Sequence, residues 1–403
     1  MTGDEPRLLV VDDEPDICRI VCHVAVSLGL EAKSASTRDE FQTISSTFNP
    51  DIIVLDLQLP GSDGVEILEH LAKTNSDAQI LLISGLDKRV LSTAYRLGEA
   101  HGLRMLGSLS KPMQIPDLEA ALKKAQEVHG TVILKQLREA FTADDLRNAI
   151  TSDQIFVEYQ PKAARMANDT WAINGVEALV RWNHSEYGVI PPSDFIPLAE
   201  ETGLIESITD NVLERTIAQL SDWHDRGLPM SAAANLSPYL LKDLDLPDRV
   251  MGLLKKYQVD PTHLTLEITE SGAMADVAQT MSILTRFRIK NIQLSMDDFG
   301  TGYSSLVQLY RMPFGELKID RSFVQELTSS DEALTIVRML VQLAHGLDLS
   351  VCAEGVESRE ALEILAEMGC ETVQGYLISK PVGPREIEEV RHRWNENAGK
   401  LSA

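Results

Sequence analysis

Two adjacent carboxylates, Asp297 and Asp298, stand between an apolar run and a glycine-rich stretch in residues 295–306, which read Ser-Met-Asp-Asp-Phe-Gly-Thr-Gly-Tyr-Ser-Ser-Leu. Carboxylates at a strand end repel each other unless a cation, a proton or a hydrogen-bond donor compensates, and a divalent ion does so most completely. Alone, the pair fits a metal site and a solvated turn equally well. What decides is whether other parts of the chain deliver matching ligands to the same place.

Strand-like runs at 156–161, 175–182, 231–237, 264–270, 293–298, 316–320, 350–354 and 372–377 alternate, for the most part, with helix-length segments. Eight such units over roughly 240 residues match the size of a (β/α)8 barrel. Period two sends Leu266, Ile268, Leu294, Met296, Leu317 and Ile319 outward to the helices and leaves the polar set facing the barrel axis. That inward set holds Gln160, Glu177, Asn235, Glu267, Asp297, Lys318, Glu354 and Gln374, one from each successive strand. Burying so many polar groups without mutual compensation is prohibitive, and one lysine cannot neutralise four carboxylates. Oxygen donors without histidine or cysteine suit Mg2+ or Mn2+ rather than zinc. Asp297 between two ions, with Glu177, Asn235 and Glu267 on one side and Asp298 on the other, would form a two-metal site that ionises a water for in-line attack on a phosphodiester. Lys318 and Glu354 would orient that water and accept its proton.

A second acidic constellation lies near the N-terminus. Strand-like runs at Arg7–Val11, Glu31–Ala35, 51–55, 79–83 and 103–109, separated by amphipathic stretches, predict a parallel sheet covered on both faces, with ligands beyond the carboxyl ends of its strands. Those ends carry Asp12-Asp13-Glu14, Asp56, Ser84 and Lys111-Pro112. Such a set can hold Mg2+ and place a phosphoryl group on a carboxylate, with the hydroxyl and ammonium meeting the phosphoryl oxygens.

The remaining composition bounds the function. The 403-residue chain is 44% hydrophobic and 24% charged, enough for two or three cores. A formal net charge of −24 argues against sequence-independent binding to nucleic-acid backbones or anionic membranes, while a small anionic substrate could still be met by metal ions. Apolar runs stop well short of the ~20 residues a membrane helix needs, and no export signal opens the chain, so a cytoplasmic protein with neither DNA nor membrane as partner is expected. Four cysteines, Cys18, Cys22, Cys352 and Cys370, do not form a disulfide framework, and the first two are expected on the inner face of the first helix.

The order Asp12-Asp13, Asp56, Ser84, Lys111-Pro112 resembles the receiver domain of bacterial two-component response regulators, over about residues 5–128. The resemblance implies a flavodoxin-like doubly wound α/β fold, Asp56 as phospho-acceptor, Asp12 and Asp13 as the acidic pair for one Mg2+, Ser84 and Lys111 as the groups that sense the phosphoryl, and a cognate sensor histidine kinase as donor. Asp63-Gly64 matches the loop after the acceptor. Ser108 stands where the family usually has an aromatic residue three before the lysine, and the Ser84–Lys111 interval is longer than the family's usual one by a few residues.

Glu177-Ala178-Leu179-Val180-Arg181-Trp182, with Tyr159-Gln160-Pro161, Asn235-Leu236-Ser237, Leu266-Glu267-Ile268-Thr269-Glu270, Asp297-Asp298-Phe299-Gly300, Leu317-Lys318-Ile319-Asp320, Ala353-Glu354-Gly355 and Gln374-Gly375, is similar to the EAL domain of cyclic-di-GMP phosphodiesterases, over about residues 143–395. The resemblance implies a TIM-like (β/α)8 barrel with one antiparallel strand and opening of cyclic di-GMP to linear pGpG. It implies Glu177, Asn235, Glu267, Asp297 and Asp298 as ligands of two Mg2+ or Mn2+ ions, with Glu354 as base and Lys318 beside the attacking water. Gln160, Leu179, Arg181 and Gln374 are implied substrate contacts, with Arg181 on the phosphate and Gln374 also near the water or the metal shell. Glu270 would support the loop at 299–306 that links the metals to dimer contacts, and a homo-oligomer, dimer or higher, is expected.

The expected organisation is therefore a receiver domain at 1–128, a helical linker at 129–150 with an N-cap at Thr142, and the phosphodiesterase domain at 151–403. Another reading, a protein that binds cyclic di-GMP without cleaving it and signals through a partner, typically goes with lost ligands or a lost base, and none is missing here. A DNA-binding regulator would need a basic recognition helix, which the sequence lacks.

Overall fold

The computed structural model describes residues 6–74, 76–129, 141–273, 277–300 and 306–397. The chain divides between Ala140 and Phe141 into two compact units, each with its own sheet.

In the first unit, strands Arg7–Val11, Glu31–Ala35, Ile52–Asp56, Gln79–Ser84 and Arg104–Ser110 are all parallel, in the spatial order second, first, third, fourth, fifth. Successive residues of one strand supply opposite cores. Leu9, Val11, Ile53 and Leu55 pack with Phe41, Ile67 and Leu91, whereas Leu8, Val10, Ile52 and Val54 pack with Val21, Leu118 and Leu122. This double burial is why the central strands read as unbroken apolar runs. Side-chain caps start the helices where sequence places them, with Thr37 accepting from the Glu40 N–H and Asp63 from the Glu66 N–H. Cys18 is buried on helix Pro15–Ser27 and Cys22 half-buried beside it. The long fourth-to-fifth interval shows up in part as a β-bulge: Ile80 pairs with Met105 but Leu81 with Gly107, so Leu106 is extra. Ser108, two residues on, is exposed.

In the second unit eight strands close into a barrel, each overlapping an expected one. Seven run parallel, from Trp171–His184 through Ser231–Asn235, Leu264–Thr269, Gln293–Phe299, Glu316–Ile319 and Ser350–Ala353 to Thr372–Gln374. The remaining strand, Ile155–Arg165, is antiparallel to both neighbours and completes the ring. Its direction follows from its connection: only residues 166–170 separate it from Trp171, and a parallel crossover takes a dozen residues or more. Outward residues Ala234, Leu266, Ile268, Leu294, Met296, Leu317, Ile319, Val351 and Ala353 are fully buried beneath the helices, as period two requires.

Helix Ala143–Thr151 packs with this second unit, its N-terminus closed by a reciprocal pair in which Thr142 Oγ1 accepts from the Asp145 N–H and Asp145 accepts from the Thr142 N–H. Phe141, just ahead of it, is buried with its ring 4.9 Å from that of Trp182. The rest of the expected helical linker, residues 130–140, lies outside the described residues.

Candidate active site

The barrel mouth gathers the inward residues into one hydrogen-bonded cluster. Glu177 Oε1 accepts from Asn235 Nδ2 at 2.8 Å and Oε2 from Gln374 Nε2 at 2.7 Å. The same Gln374 nitrogen donates to Gln160 Oε1 at 3.0 Å, so residues from four strands are tied across the closing seam. Lys318 stands at the centre. Its Nζ lies 2.6 Å from Glu354 Oε1, 2.8 Å from Glu267 Oε2, 2.9 Å from Asp297 Oδ1 and 3.7 Å from Glu177 Oε2.

Asp298 joins this group through a backbone irregularity. A regular strand would send it to the face opposite Asp297. Here its φ is +55°, and the pairing with strand Glu316–Ile319 shifts register between Met296 and Phe299. Such a bulge re-aims a side chain. As a result, carboxylate oxygens of Asp297, Asp298 and Glu354 lie within 4.8 Å of one another.

The charge balance explains how these groups titrate. Five carboxylates, Glu177, Glu267, Asp297, Asp298 and Glu354, share two ammonium groups, Lys318 and Lys162. Burial raises the Glu354 carboxyl to about 8 despite the pull of Lys318. Burial and the Asp297 charge raise Asp298 to about 6. Glu177 is also raised, by burial and then by Glu267. Glu267 goes the other way: burial would raise it, but Lys162 and Lys318 together hold it down to about 2. Burial first and neighbouring carboxylates second hold three of these acids above their ordinary range, and an all-oxygen donor set with more carboxylates than ammonium groups fits hard divalent cations.

Arg181 is half-buried, its Nε donating to Glu158 Oε2 at 2.9 Å, and Leu179 is half-buried two residues before it. Glu270 is buried at the end of the neighbouring strand, where its Oε2 accepts from the Gly300 N–H at 2.9 Å. Of the loop expected to couple metals to dimer contacts, residues 301–305 lie outside the described residues.

Sequence reading did not single out Lys162, whose Nζ lies 2.6 Å from Glu267 Oε1. The signal was there, since period two puts it on the same inward face as Gln160.

The first unit builds a smaller version at the carboxyl edge of its sheet. Lys111 Nζ lies 2.7 Å from Asp56 Oδ2 and 2.8 Å from both Asp12 Oδ2 and Glu14 Oε1. Glu14, too, was not singled out as a site residue. Asp56 Oδ1 accepts from the Gln58 N–H at 3.0 Å, and Ser84 Oγ, buried, accepts from the Leu86 N–H at 3.2 Å. Oxygens of Asp12, Asp13 and Asp56 lie within 4.8 Å, which fits a single divalent cation. Burial raises the Asp12 carboxyl, only partly offset by Lys111. Gly64 has no alternative, since a Cβ there would sit 2.6 Å from the backbone oxygen of Asp56.

Comparison with known proteins follows the same division. The family model described as EAL domain matches residues 143–381, and that described as response regulator receiver domain matches residues 8–123. The cyclic di-GMP phosphodiesterase RocR of Pseudomonas aeruginosa is 31% identical over 383 residues, 93% of this chain and 96% of that protein. The bifunctional diguanylate cyclase/cyclic di-GMP phosphodiesterase MucR of the same organism is 41% identical over 244 residues, 60% of this chain but only 35% of its own length. Among solved structures, the MucR phosphodiesterase in complex with c-di-GMP superposes with a TM-score of 0.58 at 40% identity, covering 60% of this chain and 98% of that one. The EAL enzyme Bd1971 with cAMP and cyclic-di-GMP bound does so with a TM-score of 0.58 at 29% identity, covering 66% and 72%.

Proposed function

The chain belongs to the EAL domain family and carries a response regulator receiver domain ahead of its EAL domain, and from that membership we propose that it hydrolyses cyclic di-GMP to linear pGpG under the control of phosphorylation at Asp56. The observation that carries the reading is the convergence of Glu177, Asn235, Glu267, Asp297 and Asp298 around Lys318 and Glu354.

In this reading Glu177, Asn235, Glu267 and Asp297 would hold one Mg2+ or Mn2+ ion, and Asp297 and Asp298 would hold a second. Bound there, the ions supply Lewis acidity toward the phosphodiester and lower the pKa of a water. Glu354 in its ionised form takes the proton of the attacking water on Oε2, the oxygen not paired with Lys318; with the metal-free carboxyl raised to about 8, that form grows as pH rises through 8. Lys318 fixes the other Glu354 oxygen and keeps the remaining acids from splaying apart. As water oxygen bonds to phosphorus, one ring P–O bond breaks, the departing sugar oxygen takes up a proton from solvent, and the dinucleotide opens. Arg181 meets the phosphate, with Glu158 orienting its guanidinium, while Gln160, Leu179 and Gln374 line the substrate's path and Glu270 holds the chain at Gly300.

In the receiver, Asp12, Asp13 and Asp56 hold one Mg2+ and Asp56 accepts a phosphoryl group from a sensor histidine kinase. Ser84 and Lys111 then exchange their present partners for phosphoryl oxygens, and that exchange biases an existing equilibrium that sets the hydrolysis rate. We also assign a homo-oligomer acting in the cytoplasm; no described helix is long and apolar enough to cross a membrane.

Incubating the full chain with Mg2+ and cyclic di-GMP tests the reading. Linear pGpG is expected. Tight binding with no product would replace it with that of a non-hydrolysing cyclic-di-GMP sensor.

A further inference from the structure

Lys162 is a buried ammonium that the mechanism above does not use. It sits on the antiparallel strand Ile155–Arg165, two residues beyond Gln160, and because that strand runs from the mouth toward the base, Lys162 lies one layer below the rim. Its Cα partners are Gly175 on one side and Gln374 on the other. Gly175 is needed for Ser231 rather than for the lysine: a Cβ there would stand 2.8 Å from Ser231 Oγ but 4.0 Å, an ordinary contact, from Lys162 Cβ. The two oxygens of Glu267 are thus divided. Oε1 takes Lys162 from below at 2.6 Å, and Oε2 takes Lys318 at 2.8 Å on the side of Asp297 and Glu354.

Burying a second ammonium is expensive unless its partner gains by it, and a hydrophobic residue of similar volume would often serve packing as well. We propose that Lys162 is a positioning residue for the metal site, pinning Oε1 of Glu267 so that Oε2 alone is presented to a divalent cation at the mouth. The inference rests on the reading of the barrel as a metal-dependent phosphodiesterase. Lys162 itself touches neither substrate nor cation; it acts through Glu267, as outer partners of metal-binding carboxylates do elsewhere.

The test is calorimetric titration of the metal-free full-length protein with Mn2+, alongside steady-state hydrolysis. Lys162→Met should weaken Mn2+ binding by ~10–100-fold. Lys162→Gln, which keeps an N–H for Oε1, should fall in between, and kcat at saturating Mn2+ should stay within a few-fold of the parent for both. A lysine that merely stabilises the barrel would lower the melting temperature and leave the Mn2+ Kd alone, which would overturn the proposal. Should Lys162→Met not fold, the double variant Lys162→Met/Glu267→Gln, which removes both buried charges, decides. Its Mn2+ affinity should equal that of Glu267→Gln, and a further tenfold loss would overturn action through Glu267. A parent protein that binds no Mn2+ would instead sink the metal-dependent reading itself.

Discussion

The two lysine-centred clusters solve one electrostatic problem in two architectures. At the receiver's sheet edge a single lysine bridges Asp12, Glu14 and Asp56, and its side chain is still 12% exposed. Inside the barrel Lys318 meets four carboxylates at 1% exposure, and a second lysine is needed beneath it. An open sheet edge is the setting in which the proposed reading has a kinase bring a phosphoryl group to Asp56. A closed ring buries more carboxylates than its own cations can offset, so Glu177, Asp298 and Glu354 hold their protons above the ordinary range. In the proposed reading the same kind of constellation serves a phosphoryl mark in one place and water activation in the other.

The sharpest way to break this contrast is Glu354→Gln. The barrel reading expects kcat to fall by about 10²–10⁴-fold while cyclic di-GMP still binds, and a near-normal rate would remove Glu354 from the base role. Next comes pH. Metal binding has to expel the proton from Asp298, near 6, so Mn2+ affinity measured by titration should climb as pH rises through that value. The sign for stability is opposite. Because the folded Glu354 carboxyl is raised from 4.5 to about 8, its contribution to metal-free stability is complete below 4.5 and lost as pH rises through 8. The melting temperature of the metal-free barrel should accordingly drop across that window and recover with Mn2+; a flat profile would contradict the charge surplus.

Asp56→Asn isolates the receiver. A phosphoryl mimic such as beryllofluoride should alter the parent's hydrolysis rate and leave the variant's unchanged, whereas equal responses would refute control through Asp56. The smallest effect tests where the barrel unit begins. Thr142→Ala removes one side of the reciprocal cap and should cost about 1 kcal/mol in the barrel's unfolding transition, with the receiver's transition unmoved.

Much of this was legible in the chain because the barrel imposes a strict period and the receiver's doubly covered sheet gives unbroken apolar runs that end on its acidic residues. In Leu264–Thr269 the alternation of Leu266 and Ile268 against Glu267 already sorts helix side from axis side, and the same holds for Lys318 between Leu317 and Ile319. What escaped did so where local geometry overrides the period. Apolar runs at 156–161 and 175–182 leave an interval long enough for a crossover, but the strands extend to Arg165 and start again at Trp171, which leaves only a hairpin and hides the reversed strand. Lys162 lay in that unread extension. Asp298 is brought beside Asp297 by a left-handed residue at a bulge, which no alternation pattern encodes. In the receiver, the bulge at Leu106 absorbs one surplus residue and leaves Ser108 exposed at the position of the missing aromatic.

The reversed strand has a practical corollary. Its return turn, where the Met166 N–H donates to the Thr170 oxygen, is exposed at residues 166–169 and sits at the foot of the ring, as far along these strands from Gln160 and Glu177 as the hairpin allows. A fluorophore or short epitope grafted into that tip would report on the enzyme without crowding its chemistry.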